Sequence, residues 1–343
     1  MKAARLHEYE KRLVLDDVPT PEVGPGQVLV HVDAAGFCHS DLHIIDGELR
    51  ILPRLPLTLG HENAGTVAAV GNGVSSVREG DRVAVYGGWG CGSCRSCVTA
   101  NEQLCLRSPE WVGVSKWDGG YAEYLLVPRE RYLVPLATVE ARFAAPLTDA
   151  ALTPYRAIKK ALPFLTPDVK ALVIGAGGLG QYGIKLLRLL APCEIIAVDL
   201  SDRKLETARA LGAAHTIRAN DPDVAKTILD LTSGEGVGAS FDFVGSDSTL
   251  ALAIGTTRAL GKVTQIGLAG GTARMKVLEN ARFEVLFETT LWGNIQELRE
   301  VIALAERGAL TPIDVESAPL DRINDVYDRL KRGDVEGRIV VVP

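Results

Sequence analysis

The sequence predicts a two-domain α/β protein. A β-rich part, residues 1–152 and 294–343, is interrupted by a doubly wound parallel-sheet part, residues 153–293. Three observations carry this expectation. A chain of 343 residues is too long for one small module. Its first part holds short apolar runs broken by glycine and proline clusters. From Asp168 onward, strand-like runs that are apolar throughout alternate with helical patterns, as in a parallel sheet covered on both faces.

In the first part the apolar runs are 28–32, 65–70, 82–85 and 121–127. Between them stand Pro19-Thr20-Pro21, Gly24-Pro25-Gly26 and Gly87-Gly88-Trp89-Gly90. Short strands with such punctuation read as a barrel or sandwich carrying long functional loops. In the second part a strand over 169–174 leads through a Gly-rich turn into a helix over 182–190. Further strands are expected at 195–198, near Thr216, at 239–244 and at 262–266, with helices over 203–211, 223–231 and 249–259 between them. Asn294 reads as an N-cap with Glu297 three residues on, opening a helix towards Arg307. Residues 338–342 read as a strand that returns to the first part.

Composition narrows the function. With 37 basic against 43 acidic residues the net charge is −6, which argues against nucleic acid as a partner. No stretch reaches the roughly 18 charge-free apolar residues of a membrane span, and Met1-Lys2-Ala3-Ala4-Arg5-Leu6 lacks the apolar core of an export signal. A soluble cytoplasmic protein is expected, and in that compartment four cysteines crowded into residues 91–105 favour metal over disulfides.

Gly175-Ala176-Gly177-Gly178-Leu179-Gly180 fits G-x-G-x-x-G, follows a predicted strand, opens a helix, and has an acid at the end of the next strand, Asp199. Gly175 permits the tight turn, Gly177 lets the backbone approach a pyrophosphate, and Gly180 lets helix and strand pack closely. The helix N-terminus adds free N–H groups and partial positive charge. Asp199 accepts from both ribose hydroxyls and repels a 2′-phosphate, which favours NAD over NADP. Arg203 and Lys204 nearby are the counter-signal, being able to hold a phosphate.

Cys91, Cys94, Cys97 and Cys105 put four thiols in one loop, a spacing suited to a closed tetrahedral zinc site that anchors the loop without taking part in catalysis. An iron–sulfur cluster is the chemical rival, although the last gap is long and no proline follows Cys105. Cys193, before an apolar strand, reads as a packed thiol.

The remaining dense clusters are Cys38-His39-Ser40-Asp41-Leu42-His43 and Gly60-His61-Glu62-Asn63-Ala64-Gly65. Gly60-His61-Glu62-x2-Gly65-x5-Gly71-x2-Val74 resembles the zinc signature of medium-chain zinc-dependent alcohol dehydrogenases at every fixed position. The cysteine lobe and residues 175–180 follow in that family's order, so the resemblance covers essentially the whole chain. Ala145-Pro146-Leu147-Thr148-Asp149-Ala150 is similar to a stretch in bacterial NAD-dependent secondary alcohol dehydrogenases.

The resemblance implies a GroES-like catalytic domain and a Rossmann domain, with the active site in the cleft between them. It implies NAD and two zinc ions per chain, one catalytic and one structural. Cys38, His61 and Asp149 are the implied catalytic zinc ligands; many relatives place a second cysteine where Asp149 stands. Glu62 is implied beside the metal as a transient ligand, and Asp41 as the carboxylate that orients His61. His39 takes the place of a basic residue on the cofactor pyrophosphate, and Ser40 and His43 match a proton relay. Trp292 falls where relatives carry aromatic residues at the cofactor side of the cleft, which implies a place in the substrate pocket.

One thiolate, one carboxylate and one neutral imidazole would bring a Zn²⁺ site to formal neutrality. Such an ion acidifies bound water from ~15.7 to ~7, and a bound alcohol in the same way. The expected activity is reversible hydride transfer between an alcohol, by resemblance a secondary one, and NAD. Its partners are a small alcohol, ketone or aldehyde and further copies of the chain, as a dimer or tetramer. Three other readings stay open: a polyol dehydrogenase, a zinc-independent quinone or enone reductase, and a non-catalytic NAD-binding redox sensor.

Overall fold

The computed structural model describes residues 1–275 and 283–343. The chain divides into two compact units, one made of Met1–Leu152 with Trp292–Pro343 and the other of Thr153–Leu291.

The first unit is built on a seven-stranded sheet. Its path runs Leu133–Pro135, Arg82–Val85, Glu62–Val70, Val28–Gly36, Arg338–Val342 and Val315–Pro319, and Tyr124–Val127 also pairs with Val28–Gly36. A smaller sheet joins Val14–Asp17, Lys2–Leu6 and Leu57–Thr58. Val28–Gly36 is the hub, buried at seven of its nine residues. It outruns the expected 28–32 because Ala34, Ala35 and Gly36 are small enough to pack as buried strand even though they break the apolar alternation. Its antiparallel register with the next long strand sets Gly36 opposite Glu62. The residues just past Gly36 and just before Glu62 therefore emerge at the same end of the sheet. Arg338–Val342 pairs with the same hub strand, Val340 opposite Gly36, as expected of a returning strand.

Helices not anticipated in this unit include His39–Ile45 and Ala141–Pro146, which bear on the site. Both are seven residues or shorter and sit between breakers, too brief for a 3.6-residue period to stand out. The second of them widens at once into a π-helical turn, Leu147–Ala151. Asn294 does cap Ile295–Glu306, with Glu297 returning the bond to its backbone N–H.

The second unit is a six-stranded, wholly parallel sheet. Its order is His215–Arg218, Glu194–Asp199, Lys170–Ile174, Val237–Asp242, Thr257–Gln265 and Leu286–Thr289. This is the 3-2-1-4-5-6 order of a doubly wound fold, with its reversal between the first and fourth strands. Helices Gly178–Leu190, Asp202–Ala210, Val224–Leu231 and Asp247–Thr256 connect the strands. Leu172, Ile174, Ile196, Val198, Val237 and Val263 are buried in one cluster, which is why these strands read as apolar throughout. The helix expected to reach Ala259 ends at Thr256, where two adjacent β-branched threonines begin the longer strand Thr257–Gln265. The edge strand Leu286–Thr289 was not anticipated, being short and only half buried. Among the described residues, no helix is long and apolar enough to cross a membrane.

Candidate metal centre and dinucleotide cradle

The shared sheet end brings the first two candidate ligands together. Two residues past Gly36 lies Cys38, the extended N-cap of His39–Ile45, whose backbone N–H donates to Asp41 Oδ2 at 3.0 Å. One residue before Glu62 lies His61, reached through Gly60 in a left-handed turn with φ of +98°. The π-turn after Pro146 supplies Asp149. Cys38 Sγ lies 3.9 Å and His61 Nε2 3.5 Å from Asp149 Oδ2. With a Glu62 oxygen included, the four ligand atoms all lie within 4.8 Å of one another. Zn–N and Zn–O bonds of about 2.0–2.1 Å would set tetrahedral neighbours on the order of 3.4 Å apart, so the set fits a zinc ion.

The surroundings point the same way. His61 Nδ1, Asp41 Oδ1 and Glu62 Oε2 are buried polar atoms without a hydrogen-bond partner. Asp41 Oδ1 stands 3.4 Å from His61 Nδ1. An ion on Nε2 would leave the proton on Nδ1, directed at Asp41. Burial works against a charged His61. Asp41's charge, and the nearness of the acceptors Asp149, Asp41 and Cys38, outweigh it and raise the imidazole well above its ordinary range.

Glu62 is fully buried and paired with Arg338. Burial pushes its carboxyl up to about 7 against the opposing pull of the guanidinium. Gly36 makes room for it, since a Cβ there would come within 2.0 Å of Glu62 Oε2.

The structure puts Ser40 Oγ 3.5 Å from His61 Nε2 and engages His43 Nδ1 with Glu48. His39 is exposed on the first turn of its helix. Trp292 is buried against His61. Sequence reasoning missed Arg338 and Tyr121. Arg338 gave one signal, a charge opening an otherwise apolar strand. Tyr121 gave none, because a tyrosine before a strand is ordinary. Its ring stacks on Phe37 at 5.3 Å, and its hydroxyl lies 2.8 Å from Asp41 Oδ2.

In the cysteine lobe all four thiols are free, with Sγ–Sγ separations of 3.4 Å (Cys94–Cys97), 3.8 Å (Cys94–Cys105) and 3.9 Å (Cys91–Cys97). Zn–S bonds of ~2.3 Å give a tetrahedral edge of about 3.8 Å, so the lobe fits a second zinc ion. Backbone N–H groups of Cys94 and Leu106 approach Cys91 and Cys94 Sγ at 3.4 and 3.5 Å. The Ser93 backbone and hydroxyl and the Cys94 N–H lower the Cys91 thiol to about 6, ready to ligate as thiolate. Burial raises Cys97 to about 12.

In the second unit Gly175 takes φ of +89° and Gly180 packs where a Cβ would meet Gly175 O at 1.9 Å. Gly177 faces open space, with nothing within 4 Å of where its Cβ would be. It also caps Gly178–Leu190 without a side-chain bond, leaving the first N–H groups, including those of Gly178 and Leu179, free for a phosphate. Asp199 holds the turn through Ala176 N–H at 2.7 Å and Ser201 N–H at 2.9 Å. Arg203 is exposed one turn further on.

Residues 24–138 match the alcohol dehydrogenase GroES-like domain and residues 178–307 the zinc-binding dehydrogenase family. A NAD-dependent alcohol dehydrogenase of Sulfurisphaera tokodaii is 38% identical over 100% of both chains. The crystal structure of the alcohol dehydrogenase from Aeropyrum pernix superposes with a TM-score of 0.93 at 38% identity, covering 100% of both chains. The acetophenone reductase of Geotrichum candidum in complex with NAD does so with a TM-score of 0.89 at 32% identity, covering 100% of this chain and 97% of that one.

Proposed function

The chain belongs to the medium-chain zinc-dependent alcohol dehydrogenases, and from that premise we propose that it catalyses reversible, NAD-dependent oxidation of a secondary alcohol. The observation that carries this reading is the convergence of Cys38, His61 and Asp149, with Glu62, on one point. Three protein ligands leave a fourth tetrahedral position for substrate, as catalytic zinc sites do. Zinc held there would supply Lewis acidity at the substrate oxygen, and bound NAD would supply the hydride acceptor.

The chain's own groups do the rest. Asp41 Oδ1, 3.4 Å from His61 Nδ1, would accept its proton and hold the ring with Nε2 facing inward. Ser40 Oγ, beside Nε2, is placed to accept the proton of the substrate hydroxyl as it gives up its own, and His43, held by Glu48, belongs to the same relay toward solvent. Glu62, tied to Arg338, keeps a carboxylate in reserve beside the ligand set. Gly177 would give a pyrophosphate room, and Asp199 would offer the adenosine ribose an acceptor that a 2′-phosphate would meet as repulsion; in the first unit His39 adds an exposed basic side chain for the cofactor. Cys91, Cys94, Cys97 and Cys105 hold the second zinc as a structural clamp.

The likeness to an acetophenone reductase supports the secondary-alcohol preference, because reduction of that ketone yields an aryl secondary alcohol. The half-buried strand Leu286–Thr289, which pairs on one side only among the described residues, supports a homo-oligomer, a dimer or tetramer, since a sheet edge is a template for another chain. Six free thiols support a reducing, cytoplasmic setting.

The test is NADH formation from NAD⁺ with a primary alcohol, 1-phenylethanol and a polyol. Fastest turnover is expected on 1-phenylethanol, abolished by a zinc chelator. Fastest turnover on the polyol, or turnover indifferent to the chelator, would contradict the proposal.

A further inference from the structure

The backbone of Trp292 carries φ of +53°, in the left-handed region that bulky side chains avoid. Something must hold so large a residue there. Three contacts of its side chain do, and two of them lead back to the candidate metal centre.

The indole Nε1–H donates to Thr148 O at 3.0 Å in buried surroundings. Thr148 immediately precedes Asp149 on the π-helical turn Leu147–Ala151. Widening a helix in this way breaks the regular hydrogen-bond ladder and leaves a carbonyl for an outside donor. The indole also stands edge-on to the His61 imidazole, ring centroids 5.6 Å apart at 87°. Its outer ring lies over Gly87, where a Cβ would come within 2.4 Å of Cζ2. One side chain, 6% exposed, thus braces the ring of one candidate ligand and the turn that bears another.

We propose that Trp292 is a positioning residue for the catalytic zinc, fixing the His61 ring plane and the Asp149 turn through its indole. The inference rests on the assignment of Cys38, His61 and Asp149 as ligands and goes beyond a place in the substrate pocket. Phenylalanine at 292 keeps a ring against His61 but loses the donor to Thr148. Leucine loses both.

The test follows zinc release from the purified enzyme to a chromogenic chelator in the wild type, Trp292→Phe and Trp292→Leu. The phase missing from Cys38→Ser belongs to the catalytic site, and the remaining phase to the four-cysteine site serves as an internal control of folding. The catalytic phase is expected to quicken about tenfold in Trp292→Phe and further in Trp292→Leu. The cysteine phase should not change, and kcat should fall more than KM shifts. An unchanged catalytic phase with KM altered according to alcohol size would overturn the proposal in favour of a plain pocket wall. Equal acceleration of both phases would also overturn it, showing general loosening. A zinc count that is the same in the wild type and in Cys38→Ser would overturn the ligand assignment itself, and that comparison tells this failure from the others.

Discussion

Asp41 has no exposed surface, yet three donors are aimed at it: the Cys38 N–H, the Tyr121 hydroxyl and the Nδ1 edge of His61. The Tyr121 hydroxyl has a single proton and two acceptors in reach, Asp41 Oδ2 at 2.8 Å and Gly36 O at 3.1 Å. The charged acceptor wins, because a hydrogen bond to an ionised group is roughly twice as strong as one to a neutral carbonyl. Burial, and then Asp41's charge, raise the tyrosine well above its ordinary range, so it donates at every working pH. Tyr121→Phe keeps the stacking on Phe37 and removes one donor from a buried carboxylate, at a cost of about 1.5–3 kcal/mol. Thermal unfolding should show a melting temperature several degrees lower, with turnover also reduced; unchanged melting would mean that Asp41 does not depend on this bond. The limits of sequence reading show at the same site. Cys38, Asp41, His61 and Glu62 stand in two short motifs and could be read together. Tyr121 and Arg338 reach the site only through strand register and a chain return, and register leaves no local mark in the sequence.

At the scale of elements, regular strands and capped helices were legible, and the irregular pieces were not. The apolar strands of the parallel sheet and the Asn294 cap lie where periodicity and capping chemistry put them. The π-turn Leu147–Ala151 and the edge strand Leu286–Thr289 were not seen, because their conformations depend on partners distant in sequence. The edge strand is held by such a partner. Lys262, 3% exposed, reaches Glu288 Oε2 at 2.5 Å and Lys160 O at 3.0 Å, and Lys160 also pairs with Glu288. Burial alone would raise the Glu288 carboxyl; the bonds from Lys160 and Lys262 outweigh it and lower the pKa. A carboxyl depressed in the folded state contributes stability above its unfolded pKa of ~4.3 and loses it as pH falls through the folded value. Glu288→Gln would strand a nearly buried ammonium and should cost about 2 kcal/mol at pH 7, a figure kept low because Glu288 is partly exposed. Urea unfolding of wild type and variant should show that difference at pH 7 and a much smaller one at about pH 2, below the depressed carboxyl. An equal difference at both would mean that charge pairing is not what Glu288 contributes.

Over the whole molecule, each unit holds a different half of the chemistry. The first, closed by the returning strand Arg338–Val342, assembles candidate ligands from positions 38, 61, 62 and 149 at one sheet end. The second offers a Gly-rich turn, an uncapped helix N-terminus and Asp199 at the carboxyl ends of parallel strands. The fold class was legible at this scale because two textures, breaker-rich strands and apolar strand–helix alternation, are properties of long stretches. Counting zinc by atomic emission and following NADH formation in wild type and Cys38→Ser tests the central claim most directly. Two zinc ions per wild-type chain are predicted, falling to one in Cys38→Ser, with turnover lost and NAD binding kept. Undiminished turnover in Cys38→Ser at one zinc per chain would contradict the account.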